Sequence, residues 1–226
     1  MDESPYLKEE SASVYGHDAT IEAPQQGFAA SKDVESSNQG FLNTQKTSQF
    51  LGNFDEGDSI AFVLDFSGSM DGIRVSILKK ELIRSLKDLN SEVLYSVIIF
   101  SDQGWFLGNK KSWIKANTDN VNETVELLSS QHVGGGTEWS TGMNLAFSLN
   151  PSPEVIYFMT DGATNSDVVH EIDTITQQNQ SKFSPARIHT TALVYEGMHQ
   201  YLINLASKNG GCFTWVNDQG EATTKR

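Results

Sequence analysis

From residue 59 onward, short apolar segments alternate with segments whose apolar residues recur at helical spacing. Three of the apolar segments are SIAFVLDFS (59–67), YSVIIFS (95–101) and EVIYFMT (154–160). Near-continuous apolar runs of this length are typical of parallel strands that are buried on both faces. Helical spacing follows the first of them, at Ile73, Ile77, Leu82, Leu86 and Leu89. The alternation predicts a doubly wound, mostly parallel α/β sheet that is flanked by helices and connected by right-handed crossovers.

The same pattern continues to residue 216. Helices are predicted over 121–130, around Met143–Phe147, over 168–175 and over 201–206, and strands over 188–195 and 212–216. The segment GWFL (104–107) is interpreted as a short edge strand, and the strand at 212–216 as the last one. Ligands of such folds bind beyond the carboxyl ends of the strands, where the strand order reverses. The search for a site therefore concentrates on the ends of the strands.

Composition divides the chain into three parts. Residues 1–54 are acidic, polar and without a sustained period, and we expect them to be largely irregular. Residues 55–218 carry the alternating pattern and form the predicted domain, and residues 219–226 are a polar tail. Large apolar residues become more frequent toward the end of the first part, among them Phe50 and Phe54. We therefore expect about the last fifteen residues before the domain to dock on it.

Charge and cysteine content exclude several kinds of protein. The net charge of −13 argues against binding to nucleic acid or to an anionic membrane surface, since both attract basic patches. The single cysteine, Cys212, rules out an internal disulfide framework. No apolar stretch approaches the roughly 18 residues of a membrane span, so no direct membrane insertion is expected of this chain. The expected location is the cell envelope or another extracytoplasmic site if an upstream anchor has been removed, and otherwise the cytoplasm.

Oxygen-bearing side chains stand at the predicted strand ends. The first strand ends in Asp65-Phe66-Ser67-Gly68-Ser69, and alternate residues of an extended segment point the same way, so Asp65, Ser67 and Ser69 are able to converge. The strand at 154–160 leads into Asp161, and the glycine turn at 134–136 leads into Thr137. Two carboxylates and three hydroxyls, without Cys or His, suit Mg²⁺ or Mn²⁺ better than zinc. Each aspartate alone would also serve as a helix cap, but caps do not account for the set of five.

At these five residues the chain resembles the von Willebrand factor A (VWA) family. The family's metal-ion-dependent adhesion site pairs a D-x-S-x-S motif with a later threonine and a later aspartate. Asp65, Ser67 and Ser69 match the motif, Thr137 the threonine and Asp161 the second aspartate, so the site looks complete. The similarity covers about residues 55–217 and is closest to bacterial members. The resemblance implies a Rossmann-like fold and an adhesion or interaction module in which Mg²⁺ bridges to an Asp or Glu of a protein partner.

Two other classes of function are weighed against this one. The motifs of three enzyme classes are missing. A phosphate-transferring enzyme with a nucleophilic aspartate would carry a second aspartate two residues later, where this chain has Ser67. Neither the G-x-G-x-x-G of dinucleotide-binding enzymes nor the G-x-S-x-G of serine hydrolases follows the first strand. The sequence therefore predicts that the chain is not an enzyme, with a metal-dependent hydrolase the weaker alternative. A structural or scaffold domain that the metal only stabilises would use the same ligands and stays open as the main alternative.

Overall fold

The computed structural model describes residues 47–50, 53–162 and 164–225. The strands are β1 (Thr47–Phe50), β2 (Asn53–Glu56), β3 (Ser59–Asp65), β4 (Leu94–Phe100), β5 (Gly104–Phe106), β6 (Ile114–Lys115), β7 (Val155–Thr160), β8 (Arg187–Leu193), β9 (Phe213–Val216) and β10 (Ala222–Lys225). The helices are α1 (Ile73–Asp88), α2 (Thr118–Ser129), α3 (Trp139–Phe147), α4 (Val168–Gln180) and α5 (His199–Lys208). Within the described ranges, no helix is both long and apolar enough to cross a membrane.

Strands β3 to β10 form one mixed sheet in the order β10-β9-β8-β7-β3-β4-β5, with β6 also paired to β4. Strands β9, β8, β7, β3 and β4 are parallel, whereas β5, β6 and β10 are antiparallel to their neighbours. The fold class predicted from the sequence, a doubly wound, mostly parallel sheet flanked by helices, is therefore confirmed. The strand that follows β3 in the chain, β4, lies on one side of β3 in the sheet, whereas β7 lies on its other side. The strand order therefore reverses between β3 and β7.

The sheet has a hydrophobic core on each face, because successive side chains of a strand point to opposite faces. On β3, Phe62 and Leu64 belong to one core, which also holds Leu82 of α1 and Leu128 of α2. The alternate residues of β3 belong to the other core, which holds residues of the remaining three helices, among them Trp139, Ile172 and Leu202. Both faces of β3 are thus covered, and every residue of this strand is buried.

Strands β1 and β2 form an antiparallel hairpin that packs on the first of these cores. Strand structure is present from Thr47 in a part of the chain that was predicted to be largely irregular, whereas residues 1–46, on which most of that prediction falls, lie outside the described ranges. Phe50 is completely buried, with its ring centroid 5.5 Å from that of Phe62 and 5.6 Å from that of Tyr157. The Ser48 hydroxyl hydrogen-bonds to the Tyr157 hydroxyl at 2.8 Å. The expected docking of the residues before the domain is therefore seen at Phe50.

Asp55 of β2 connects the hairpin to β8. Its Oδ2 accepts hydrogen bonds from Arg187 Nε at 2.6 Å and from His189 Nε2 at 2.8 Å. Because His189 Nδ1 accepts from the Cys212 amide, Nε2 carries the ring hydrogen. Burial lowers the pKa of His189 despite the nearby carboxylate, so the contact is a hydrogen bond from a neutral imidazole to the carboxylate and not an ion pair. Burial alone would raise the pKa of Asp55, but the hydrogen bonds from Arg187 and His189 outweigh it and the pKa is lowered.

Replacing Asp55 by Asn should destabilise the domain in a pH-dependent way. A folded-state pKa below the ordinary value of 3.8 means that the ionised carboxyl stabilises the fold above that value, and that this contribution is lost as the pH falls through the folded pKa. We expect Asp55→Asn to lose about 1–2 kcal/mol at pH 7, as for a partly exposed charged hydrogen bond. The difference between the proteins should shrink as the pH falls below 3.8 and through the folded-state pKa. Urea denaturation at neutral and at acidic pH measures it, and an unchanged difference at acidic pH would contradict the assignment.

A further strand, β10, follows β9. Residues 222–225, which the sequence placed in a polar tail, form β10 and pair antiparallel with β9 over Ala222↔Val216 to Lys225↔Phe213. The prediction that the strand at 212–216 is the last one is therefore wrong, because backbone hydrogen bonds to an edge strand do not require apolar side chains. The four residues of β10 are all exposed. The predicted edge strand at 104–107 is confirmed as β5, whereas β6 was not predicted.

Candidate metal centre

Asp65 is the last residue of β3 and lies at the carboxyl edge of the sheet, beside the reversal of strand order. Its side chain is fully buried. Oδ1 accepts a hydrogen bond from the backbone N–H of Ser67 at 2.8 Å, and Oδ2 accepts one from the hydroxyl of Thr160 at 2.6 Å. The Thr160 hydroxyl in turn accepts from the backbone N–H of Gly162 at 3.0 Å. Asp65 is therefore held in one orientation by the loop after β3 and by the end of β7.

The protonation of Asp65 reflects this burial. Loss of solvation raises the pKa of its carboxyl to about 6, and the hydrogen bonds from Ser67 and Thr160 offset only part of that effect. The negative charge of Asp161, which follows the Thr160 that binds Asp65, adds to the rise. A pair of buried carboxylates of this kind is stabilised by a bound cation.

Ser67 and Ser69 lie in the loop that follows β3. Ser67 is buried and precedes a single turn of 3₁₀ helix over Gly68–Met70, whereas Ser69 is exposed. The two hydroxyl oxygens are 3.2 Å apart. Met70 is completely buried in the core below and anchors the turn. The D-x-S-x-S segment therefore presents a buried carboxylate and a pair of hydroxyls on one side of the loop.

The glycine-rich loop before α3 lies against the loop after β3. The Gly134 N–H donates to the Phe66 carbonyl at 2.8 Å, and the Gly68 N–H donates to the Gly135 carbonyl at 3.1 Å. Gly135 has a φ of +81°, which favours glycine. A side chain there would meet the Asp102 carboxylate at 2.7 Å. The close approach brings Thr137, two residues further on and 4% exposed, to the same edge of the sheet.

A third loop, after β7, supports the backbone of Thr137. The Thr137 carbonyl accepts a hydrogen bond from the Asn165 N–H at 2.8 Å and a longer one from the Thr164 hydroxyl at 3.4 Å. Glu171 of α4, also buried, accepts from the Thr164 hydroxyl at 2.7 Å and from the Ser140 N–H at 3.0 Å. Burial raises the pKa of Glu171 even though both hydrogen bonds favour its charged form. All three loops are thus tied together.

Asp161 follows β7 directly and is 3% exposed. One of its oxygens, Oδ2, is 3.7 Å from Nη1 of Arg74, and the same Nη1 donates to the Ser69 carbonyl at 2.6 Å. The Arg74 guanidinium therefore bridges the loop after β3 and the loop after β7. Its side chain is about one third exposed, so this bridge is partly accessible to solvent.

The structure brings the loops of all five predicted site residues to one edge of the sheet. Asp65 contacts Ser67, and Ser67 contacts Ser69. Arg74 connects Ser69 to Asp161. Thr137 is connected to the others through backbone hydrogen bonds of its loop. Within the ranges that the structure describes, no group of three His, Cys, Asp or Glu side chains forms a metal cluster of another kind. Two carboxylates with hydroxyl donors fit a hard dication such as Mg²⁺ or Mn²⁺.

Three residues that act at the site were not singled out from the sequence. Thr160 orients Asp65, Arg74 pairs with Asp161, and Glu171 fixes the loop that carries Thr137. A signal was present for Thr160, which stands immediately before Asp161 at the end of an apolar run. Arg74 and Glu171 lie in helices, and nothing in the sequence distinguishes either of them from an ordinary surface residue.

Comparison with known proteins identifies the domain. A family model described as the von Willebrand factor type A domain matches residues 58–214. Mouse inter-alpha-trypsin inhibitor heavy chain 4 is 27% identical over 168 residues, which cover 68% of this chain and 17% of the relative. Human inter-alpha-trypsin inhibitor heavy chain H4 is 25% identical over 180 residues, covering 73% and 19%. The chain thus spans less than one fifth of the length of these two relatives.

Solved structures show the same fold at lower identity. A von Willebrand factor type A protein from Catenulispora acidiphila superposes with a TM-score of 0.64 and 15% identity, over 78% of this chain and 47% of that chain. Proximal thread matrix protein 1 of the mussel byssus, described with a zinc-occupied MIDAS motif, superposes with a TM-score of 0.54 and 18% identity. The match covers 71% of this chain and 42% of that chain. The expected closeness to bacterial members stays a prediction, since identity at this level shows the fold alone. On the match over residues 58–214, the chain belongs to the von Willebrand factor type A domain family.

Proposed function

We propose that this domain is a protein-binding module that works through a divalent cation. Mg²⁺ or Mn²⁺ binds at Asp65, Ser67, Ser69, Thr137 and Asp161, and a carboxylate of an Asp or Glu of a partner protein takes a further coordination position. The observation that carries the proposal is the pair of buried, neighbouring carboxylates in loops that also bring hydroxyl residues to the carboxyl edge of the sheet. The zinc-occupied MIDAS motif named for the mussel protein is consistent with a divalent metal.

Charge balance explains why the partner should be acidic. Two carboxylates only balance the charge of a dication, and the hydroxyl ligands add no charge. The bound cation therefore keeps enough Lewis acidity to attract one more anion. At longer range the chain, with its net charge of −13, repels an acidic protein. Binding therefore depends on a short-range bond at the metal. Moderate salt, which screens the repulsion but not the metal bond, is expected to weaken binding little or to strengthen it.

The hydroxyls of the site favour binding over catalysis. A serine becomes a nucleophile when an adjacent general base accepts its proton. Ser67 Oγ lies 3.2 Å from Ser69 Oγ, and neither hydroxyl is a base. Two buried carboxyls have a raised pKa, and both already accept hydrogen bonds: Asp65 from Thr160 and the Ser67 N–H, and Glu171 from Thr164 and the Ser140 N–H. We therefore infer that the hydroxyls serve as ligands.

Nuclear magnetic resonance of the ¹⁵N-labelled chain tests both halves of the proposal. Substoichiometric Mn²⁺ should broaden the amide signals of residues 66–70, 136–138 and 161–162 first, because these lie nearest to the proposed ion. In saturating Mg²⁺, acetyl-aspartate amide should then shift the same amides, whereas acetyl-asparagine amide, which lacks the charge, should not. Broadening centred elsewhere would overturn the metal site.

Two controls complete this experiment. Thr137→Val removes one proposed ligand and should reduce both the broadening and the shifts, whereas Thr118→Val, at an exposed residue on the opposite edge of the sheet, should leave both unchanged. Shifts of equal size in EDTA, or with the asparagine compound, would mean that the acidic group does not bind through the metal. Metal binding without any response to the aspartate compound would favour the scaffold alternative.

A further inference from the structure

The large apolar side chains that are exposed on this domain are concentrated around the candidate metal centre. Within the described ranges, five such residues are at least about one third exposed: Ile73, Val169, Phe183, Tyr195 and Tyr201. All but Phe183 lie in the loops or first helical turns that follow β3, β7 and β8, which is the edge that holds Asp65 and Asp161. Singly scattered apolar residues are ordinary on a surface, whereas their grouping beside a site indicates an interaction surface.

Two members of the loop after β8 directly contact the loop that carries Asp161. A methyl group placed on Gly162 would lie 2.7 Å from Cβ of Met198 and 3.8 Å from Cδ1 of Tyr195, so both side chains pack against the Gly162 backbone. Gly162 has a φ of +99°, and it is the residue immediately after Asp161. Tyr195 nevertheless keeps 54% of its surface exposed. The tyrosine thus forms an apolar rim next to the acidic pair, together with Met198.

The backbone holds Tyr195 in this place. Val194 has a φ of +63°, a conformation that β-branched residues rarely adopt. The turn is closed by a hydrogen bond from the Tyr195 N–H to the Leu193 carbonyl at 2.6 Å, and the Val194 N–H donates to the Val216 carbonyl at 2.8 Å. On its other side the ring packs against Gly197, where an added methyl group would lie within 2.7 Å of three ring and hydroxyl atoms. A rigidly held tyrosine loses little conformational freedom when a partner packs on it.

We propose that the rim formed by Tyr195 and Met198 recognises an apolar side chain of the partner, within two residues of the acidic residue that binds the metal. This inference rests on the proposed function of the same site. The spacing follows from geometry, because Gly162 is adjacent to Asp161 and an extended partner segment advances about 3.3 Å per residue. The site then distinguishes partner segments in which Asp or Glu has an aromatic or aliphatic neighbour from those in which it has polar neighbours.

Selection from a phage-displayed library of short peptides tests the inference. The library has Asp fixed at the centre and all other positions random, the whole chain is the bait in Mg²⁺, and bound phage are eluted with EDTA. We expect the eluted peptides to be enriched in Phe, Tyr, Leu, Met or Ile within two residues of the Asp. The doubly substituted Tyr195→Ser/Met198→Ser protein should lose that enrichment and bind the selected peptides about tenfold more weakly, the usual effect of removing one well-packed apolar contact.

Controls separate this inference from the function on which it rests. Phe183→Ser, which removes an exposed apolar side chain outside the rim, should select the same peptides as the unmodified protein. The doubly substituted protein should keep the rise in melting temperature that Mg²⁺ produces, because neither residue is a proposed ligand. EDTA-eluted peptides with no preference beside the Asp would overturn the rim and leave the metal-bridging function standing. The absence of any EDTA-dependent recovery would overturn both.

Discussion

Asp65→Asn should abolish the stabilisation of this domain by divalent metal and should stabilise the metal-free protein. Without metal, at pH 7.5, we expect the substituted protein to be more stable than the unmodified protein by about 3 kcal/mol. The folded-state pKa of Asp65, about 6, is above the ordinary value of 3.8, so the carboxyl favours folding at acidic pH and this contribution is lost as the pH rises through about 6. Each unit of that difference corresponds to about 1.4 kcal/mol once the group is ionised. Asparagine removes the uncompensated buried charge and keeps the size of the side chain.

With Mg²⁺ present the difference between the two proteins should largely disappear. A ligand that binds only the folded state stabilises it by about 2.7 kcal/mol at one hundred times its Kd. We therefore expect millimolar Mg²⁺ to raise the melting temperature of the unmodified protein and to leave that of Asp65→Asn unchanged. Asp88→Asn is the matched control, since Asp88 is an exposed carboxylate at the end of α1, and it should respond to Mg²⁺ fully and change stability by less than about 0.5 kcal/mol. Equal responses of both variants to Mg²⁺ would show that Asp65 is not a ligand.

Phe50→Ala should remove about 3–5 kcal/mol from the free energy of unfolding, as complete truncation of a buried phenylalanine usually does. Phe50 is fully buried between Phe62 and Tyr157, so its loss leaves a cavity between the hairpin and the sheet. An isolated two-stranded hairpin is at best marginally stable in water, which means that this packing holds β1 and β2 in place. Urea denaturation followed by circular dichroism measures the change.

Phe183→Ala is the control for chain composition and expression, because the Phe183 side chain is completely exposed and its removal should change stability by less than about 0.5 kcal/mol. A loss of under 1 kcal/mol in Phe50→Ala would mean that the hairpin is not part of the cooperative fold. The response of Phe50→Ala to Mg²⁺ should match that of the unmodified protein, since the hairpin packs on one face of the sheet and the metal centre lies at its edge.

The sheet could be predicted from the sequence because each of its central strands is buried on both faces. Strands of this kind have continuous apolar sequences, and β3, β4 and β7 all do. The five candidate site residues were found for a related reason. Each stands at the end of an apolar run or after a glycine turn, and the carboxyl ends of parallel strands meet at one edge. Their role as ligands is still a prediction that the experiments above address.

The tertiary structure decided the elements that depend on a surface supplied by the rest of the fold. The hairpin of β1 and β2 carries polar residues such as Ser48 and Asp55, whose partners Tyr157 and Arg187 are more than one hundred residues away. The β10 strand is polar and exposed, and it is a strand because the edge of β9 offers hydrogen bonds. No local pattern encodes either of these, since neither forms without the sheet.

The same distinction applies within the candidate site. The sequence by itself determined which oxygen-bearing side chains stand at the strand ends. Only the tertiary structure showed that Thr160 holds Asp65 across 95 positions of the chain, and that Arg74 lies beside Asp161. It also placed Tyr195 against Gly162. The choice of candidate ligands follows from local chemistry. Their orientation, the pairing of Asp161 with Arg74 and the apolar rim arise from contacts between loops that are adjacent only after the sheet has formed.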